Sequence, residues 1–578
     1  MRRVLRNLAF FTCLALPWLN PFAPGPSAAM VPWLVSLGCV GAAVALRYFG
    51  AAAVPRLSAP WLIFFAANAL YFALRTLGRG AGVEAGAALL AWGCVVLMAW
   101  VGMGIGAATG SGAGSSTGAG EGTVVDANIM RMRVIGMRVI SLRGLALTWL
   151  AVALLSVLMG LAQYLQIEAW FAPWISHAGD GVAYANLRQR NQFATLCGVG
   201  LLALLYLCQS KPAVGTPDAK AAWPWLAVAV LAAGNGLSSS RTGALQWLLI
   251  AVAVLCWRAS LQRRVLQLGL GALAVYVLVV ALMPWFAGAV GNPSSGLWGR
   301  AAEDSVPGGG RLWLYRNVLE LIAQKPWLGW GWRELAYAHY SSTFNVRFIE
   351  LLDNAHNLPL HLAVELGTPY AALFCTAVLV WVLRAKPWHE VDATRQLAWG
   401  ILMLLGVHSM VEYPLWYGPF LMTLGLCLGL LQVQNLKPNK SMAQGNAARV
   451  AIKYIVIGLL CFTAFAAFDY HRASQIYLSE AARSPRYADN ALAAAQRSVL
   501  FQKQALFAQL VTTPVTPKTA AQVLELAIQL VHYSPEPRVI EALIESAVML
   551  RFDDIAMQHI ALYKAMYPTD YAAWTALK

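Results

Sequence analysis

Apolar residues run along this chain in long blocks, broken by short polar segments, and the blocks have the length of membrane helices rather than of core helices. A helix needs about 20 mostly apolar residues to cross the hydrocarbon core of a bilayer. The pattern predicts spans at 8–20, 30–47, 60–78, 84–105, 144–165, 191–208, 223–237, 241–257, 266–286, 356–383, 396–410, 415–434 and 450–468. The fold class expected is therefore all-α, a polytopic membrane protein with about 13 transmembrane helices. The first block follows Arg2, Arg3 and Arg6 in the manner of a signal peptide. It lacks a convincing cleavage site and is read as a retained helix.

Charge supports the same reading. The 578 residues carry 42 Lys+Arg against 26 Asp+Glu, a net +16, but only 12% of the chain is charged and 59% is hydrophobic. A nucleic-acid partner would need basic residues clustered on a polar surface; here they punctuate apolar runs, so no nucleic acid is expected. With the N-terminus inside, the loops on the cytoplasmic side hold 20 Lys+Arg and five acids, which is 15 of the 16 net positive charges. The positive-inside rule is met at every such loop. An odd number of spans then puts the last 110 or so residues outside. The nine cysteines all fall in predicted spans and form no CxxC pair, so they suggest neither a disulfide framework nor a metal site.

Six regions follow from this pattern. Residues 1–105 are N-terminal spans, and 106–143 a cytoplasmic linker, Gly/Ser-rich and then basic, whose RMRVIGMRVISLR stretch suits the anionic inner leaflet. Residues 144–286 are spans with polar loops. Residues 287–355 form the longest outer loop, with six basic and six acidic residues and an amphipathic helical stretch, RLWLYRNVLELIAQ. Residues 356–468 are further spans. Residues 469–578 carry ten basic and ten acidic residues and read as a helical periplasmic domain. Pro535 and Pro568 stand 33 apart there, close to the tetratricopeptide period.

Arginines on the outer side run against the topology rule, which makes them informative. Arg188 and Arg190 sit in NLRQRNQFAT at the mouth of span six, and Arg241 in GLSSSRTG between spans seven and eight. Arg311 and Arg316 lie on the loop helix, His356 in DNAHNLPLHLAVELG, and His408 and Glu412 in HSMVEYPLWY. Each has a plainer reading: Arg316 and Arg333 as snorkelling side chains, Asp353 and Asn354 as helix caps, His361 with Glu365 as a structural hydrogen bond, Tyr413, Trp416 and Tyr417 as an interfacial belt. Taken together, converging guanidinium groups suit a diphosphate, whose oxygens they match in bidentate fashion. The outer loops hold no DxD motif for a divalent metal, so no metal or other cofactor is expected, and arginine would carry the leaving-group charge. A histidine beside them could accept a proton from an attacking hydroxyl.

The blocks LRQRNQFATL, SSSRTGAL, GGGRLWLYRNVLELIAQKPWLGWG, DNAHNLPLHLAVELG and HSMVEYPLWYGPFL together resemble the bacterial O-oligosaccharyltransferases of the protein glycosylation ligase type. That group shares a superfamily with the O-antigen ligases and polymerases. SRTG and PWLGWG are shared across the superfamily, whereas the QRNQ, AHNLPLHLAVELG and EYPLWY blocks point to the protein-glycosylating branch. The resemblance implies the multi-helical membrane fold of O-antigen ligases and an inverting transfer. The oligosaccharide would pass from undecaprenyl diphosphate to a Ser or Thr of a pilin-like protein at the periplasmic face of the inner membrane. It implies His356 as base, Arg241 and Arg311 as diphosphate ligands, and Arg188, Gln189, Arg190, Asn191 and Arg316 on the donor. Asn357, Glu412, Tyr413 and Tyr417 would position substrate. The branch usually has proline after the glutamine; here Arg190 follows Gln189, so either Gln189 or Gln192 is the equivalent residue. Ligation to lipid A-core or glycan polymerisation is the alternative within the superfamily. Transport of lipid-linked sugars is the alternative outside it, disfavoured because Glu365 is nearly the only midspan charge and no internal repeat is evident.

Overall fold

The computed structural model describes residues 2–49, 57–76, 82–109, 140–179, 181–210, 222–292, 310–432 and 442–577. Most of the expected linker at 106–143 lies outside these residues. Among them the chain is helical throughout, with no strand. The helices of the first half are α1 (Arg2–Leu19), α2 (Met30–Tyr48), α3 (Ala59–Thr76), α4 (Gly82–Thr109), α5 (Leu142–Tyr164), α6 (Arg190–Gln209), α7 (Trp223–Leu237), α8 (Arg241–Cys256) and α9 (Arg263–Ala289). Then come α10 (Arg311–Gln324), α11 (Leu335–Ser341), α12 (Leu358–Leu366), α13 (Thr368–Ala385), α14 (Ala393–Ser409), α15 (Gly418–Leu431) and α16 (Met442–Ser474). The chain closes with α17 (Ala491–Gln496), α18 (Gln502–Thr512), α19 (Ala520–Tyr533), α20 (Pro537–Met549), α21 (Asp553–Met566) and α22 (Pro568–Ala576).

Every predicted span coincides with helix. Seven helices are long and apolar enough to cross a membrane by length and composition, and α1, α7, α8 and α15 are shorter apolar helices. The chain is a multi-pass membrane protein. At its centre stands α6, enclosed by α5, α7, α8 and α14. Its Ala194, Gly198 and Gly200 let neighbours approach closely, and Phe193, Leu196, Leu231, Ile250 and Leu404 fill the space around it. In lipid, where apolar contact alone drives little association, such close packing is what holds helices together. Helices α4 and α15 meet in the same way: a methyl group added at Gly425 would stand 2.5 Å from the Val95 carbonyl oxygen.

One expected span is not continuous. Residues 356–383 were expected to cross as a single helix; instead α12 stops at Leu366 and α13 starts at Thr368, with Gly367 between them at φ +97°. The break frees the last carbonyls of α12, which must find donors. The PWLGWG loop supplies them: Trp330 N–H donates to Val364 O at 2.8 Å and Gly331 N–H to Glu365 O at 3.0 Å, while Thr368 N–H donates to Pro326 O at 2.8 Å. A side chain at Gly329, itself at φ +65°, would collide with the backbone of Glu365. The half-helix and the loop are thus one unit, and they fix where residues 354–358 sit.

The C-terminal helices pack as antiparallel neighbours, α19 on α20 and α20 on α21, around Val523, Leu530, Ile540, Leu543, Tyr563 and Met566. Prolines open α20 and α22, the position where a missing N–H costs nothing. The layer rests on α11: Tyr340 is part of its core and meets His559 Nδ1 at 2.7 Å, and His532 pairs with Glu334 at 2.9 Å while stacking on Tyr337. Buried Asp469, near the end of α16, accepts from Ser498 Oγ and from the N–H groups of Val499 and Leu500, which ties the layer to the span before it.

Candidate functional site

Three helices begin at one end of the bundle, and each begins with an arginine: Arg190 opens α6, Arg241 opens α8 and Arg311 opens α10. The caps before them are local and legible. Gln189 accepts from Gln192 N–H at 2.7 Å, Ser240 accepts from Gly243 N–H at 3.0 Å, and Gly310, at φ +82°, turns the chain into α10. A helix start carries unpaired N–H groups and partial positive charge, so each of these arginines adds a full charge to an end that already favours anions.

The starts are drawn together by a single carboxylate. Glu412, in the turn after α14, takes Arg311 Nη2 at 2.6 Å and Asn191 Nδ2 at 3.0 Å on one oxygen, and His356 Nδ1 at 2.9 Å on the other. Asn191 in turn accepts from Ser240 Oγ at 2.6 Å, which places the first turn of α8, and Arg241 with it, beside α6. Below, Thr195 Oγ1 binds the Asn191 carbonyl at 2.9 Å, Gln246 Nε2 at 3.0 Å and His408 Nδ1 at 2.8 Å, and Gln246 reaches the Leu404 carbonyl. This buried polar strut joins α6, α8 and α14 under the site. Its side chains bond one another and the carbonyls of Asn191 and Leu404, which ties the three helices together.

His356 stands above the carboxylate in a strained backbone conformation, φ +47°. Asn354 Oδ1 accepts from its N–H at 2.8 Å and Tyr315 OH donates to its carbonyl at 3.3 Å. With Nδ1 engaged by Glu412, the proton belongs on Nδ1 and the lone pair of Nε2 is left as acceptor. The ring meets Tyr413 edge-on at 5.0 Å, and Tyr413 stacks along Tyr417. Burial alone would push the Glu412 carboxyl up. The hydrogen bond from His356 and the positive charge of Arg311 oppose it, so the group lies below its ordinary range and is ionised.

The candidate residues thus separate. Asn191, Arg311, His356, Glu412, Tyr413 and Tyr417 share one site by direct contact, and Arg190 and Arg241 open the helices beside it. Asn357 sits at its edge as the cap of α12, accepting from Leu360 N–H and donating to the Met410 carbonyl. Arg188 does not join: its backbone is left-handed, φ +56°, and its guanidinium turns back onto the carbonyls of Pro21 and Asn186. Arg316 points away, pairing with Glu320 on the exposed face of α10 and lying over Trp313. Gln189 serves as a helix cap, while Gln192 is buried beneath it against the Tyr417 hydroxyl. The caps expected at Asp353 and Asn354 fall instead to Asn357, with Asn354 holding the His356 turn. His361 and Glu365 approach to 3.5 Å without forming the expected hydrogen bond. Ser240, Thr195 and Gln246 were not anticipated; small polar residues in apolar helices were the available signal. Among the described residues no three metal-ligating side chains converge.

Comparison with known proteins divides the chain at the same pieces. The family described as "Protein glycosylation ligase" matches residues 183–208, which contain Arg190 and Asn191. "O-Antigen ligase" matches 226–375, which contain Arg241, Arg311 and His356. "Virulence factor membrane-bound polymerase, C-terminal" matches 396–578, which begin with α14 and Glu412. The chain is 28% identical over 291 residues to a general O-oligosaccharyltransferase of Acinetobacter baylyi, covering 49% of each chain. It is 23% identical over 331 residues to a ComP-specific O-oligosaccharyltransferase of the same organism, covering 56% of this chain and 57% of that one. The chain thus spans about half the length of the curated relatives it matches.

Proposed function

We propose that this chain, which belongs with the O-antigen ligase superfamily, is an O-oligosaccharyltransferase that moves a glycan from a lipid diphosphate to a protein hydroxyl. The donor is an undecaprenyl-diphosphate oligosaccharide and the acceptor a Ser or Thr of a pilin-like protein. The reaction takes place at the periplasmic face of the inner membrane. The charge asymmetry of the loops supports that orientation. The observation that carries the reading is that one carboxylate, Glu412, holds both Arg311 and His356.

The chemistry follows from those contacts. Arg311 uses one nitrogen on Glu412 and keeps the rest of its fork for phosphate oxygens, with Arg241 and Arg190 at the neighbouring helix starts. His356 Nε2 accepts the proton of the acceptor hydroxyl as its oxygen attacks the anomeric carbon. The bond from that carbon to the diphosphate oxygen breaks, and its electron pair leaves with the diphosphate, whose charge the arginines stabilise. Glu412 stabilises the imidazolium that forms, as the carboxylate of a catalytic triad does. One displacement inverts the anomeric centre.

Co-expression with a lipid-linked oligosaccharide pathway and two acceptors, a pilin and lipid A-core, tests the proposal. A glycan-dependent mass increase on the pilin is expected. A glycan ladder on lipopolysaccharide with unshifted pilin would replace the proposal with the ligase reading.

A further inference from the structure

From His356 an aromatic row leads to Arg333. Tyr413 meets His356 at 5.0 Å, Trp416 follows at 5.5 Å from Tyr413, and the guanidinium of Arg333 lies over the Trp416 ring at 4.8 Å. Arg333 is exposed and sits at φ +67°, a conformation a non-glycine residue holds only at a cost. Its neighbour Glu334 is committed to His532, and among the described residues no carboxylate pairs with Arg333. Snorkelling does not explain it, because its side chain lies on an indole between the PWLGWG loop and the C-terminal layer.

We propose that the Tyr413–Trp416–Arg333 row is a glycan subsite, where Arg333 binds the donor oligosaccharide beyond the sugar being transferred. This rests on the glycosyltransferase reading above. With the diphosphate on Arg241 and Arg311, a row that starts at His356 and reaches Arg333 is placed for the sugars beyond the one transferred. Its composition suits a glycan: the guanidinium held on the Trp416 ring offers its donor fork to hydroxyl pairs or an acidic substituent, and the half-buried Tyr413 and Trp416 present their remaining surface beside it. Each step along the row is close to the span of one pyranose.

Steady-state transfer to one acceptor is measured with two donors, a lipid diphosphate carrying the full oligosaccharide and one carrying only its first sugar. Arg333→Ala is expected to lower the ratio of kcat/KM for the long donor over the short one about 10-fold, the scale of one charged hydrogen bond. The loss should lie in donor KM, and Arg333→Lys, which keeps charge but not the planar fork, should fall between. An unchanged ratio with both donors reduced equally would make Arg333 structural and overturn the subsite. So would a rise in acceptor KM instead of donor KM. If the unaltered protein transferred neither donor, the glycosyltransferase reading and the subsite would fall together.

Discussion

Replacing Glu412 by glutamine tests the centre of the site with almost no change in volume. The carboxylate is 10% exposed and lies 2.9 Å from the imidazole that becomes charged in the reaction. Two unit charges about 4 Å apart interact by roughly 4 kcal/mol at an effective dielectric of ~20, so loss of the carboxylate removes on the order of 10³-fold in rate. A second effect adds to it. The amide can donate to Nδ1, which moves the imidazole proton to Nε2 and blocks it as an acceptor, the error that costs a serine protease ~10⁴ in kcat. We therefore expect a fall of about 10³- to 10⁴-fold in kcat. Donor KM should stay the same or drop, because Arg311 loses a competitor for phosphate. The assay is the initial rate of glycan transfer to a purified acceptor from a purified lipid-linked donor in detergent, with both substrates varied. A Glu412→Gln protein that retains its thermal transition and transfers within threefold of the unaltered rate would refute the dyad.

Four further outcomes are expected. Arg241→Ala and Arg311→Ala should each cost roughly 3 to 4 kcal/mol of transition-state stabilisation, ~100- to 1000-fold in kcat/KM, with the protein still inserted; near-normal transfer would remove that arginine from the mechanism. His356→Ala should be as damaging, and normal transfer by His356→Gln would show that hydrogen bonding suffices without proton transfer. Arg188→Ala should leave donor KM near normal while lowering thermal stability, since its contacts are backbone carbonyls. His339 is held down to about 3 by burial and by Arg347. Its folded value lies below its unfolded one, so the stability it contributes is present above pH ~6.5 and is lost as pH falls, by up to about 1.4 kcal/mol per unit. A His339→Phe protein whose denaturation midpoint kept the same slope between pH 6.5 and 5 would contradict this.

The sequence announced the ionisable members of the site because they stand out against apolar surroundings: Arg241, Arg311 and His356 have few charged neighbours to hide among. It did not announce which groups pair. Arg188 and Arg190 share chemistry and differ by two positions, yet a left-handed turn sends one back to Pro21 while the other opens α6. Glu412 lies 101 residues from Arg311 and 56 from His356, so its place at the centre is a property of the packed helices alone. The break at Gly367 carries a local signal, Gly367 followed by Pro369, but it lies in a run apolar enough to be taken as one span. Hydropathy does not register that the carbonyls of α12 find donors in a loop more than thirty residues earlier. Ser240, Thr195 and Gln246 go unannounced because single polar residues in apolar helices carry no periodic signal.

The hydrogen bond between Asn191 and Glu412 joins residues 221 positions apart. A ribosome adding ~5–20 residues per second needs roughly 10 to 45 seconds to cover that interval. For most of it, Asn191 is outside the ribosome while its partner has yet to be made. The nascent chain must therefore keep the first turn of α6 hydrated, or lent to a provisional partner such as Ser240, until the turn after α14 arrives. Glu412 is made after Asn191, Arg311 and His356, and its arrival closes them into one unit. The cluster therefore closes in a single late step, once the turn after α14 has been made.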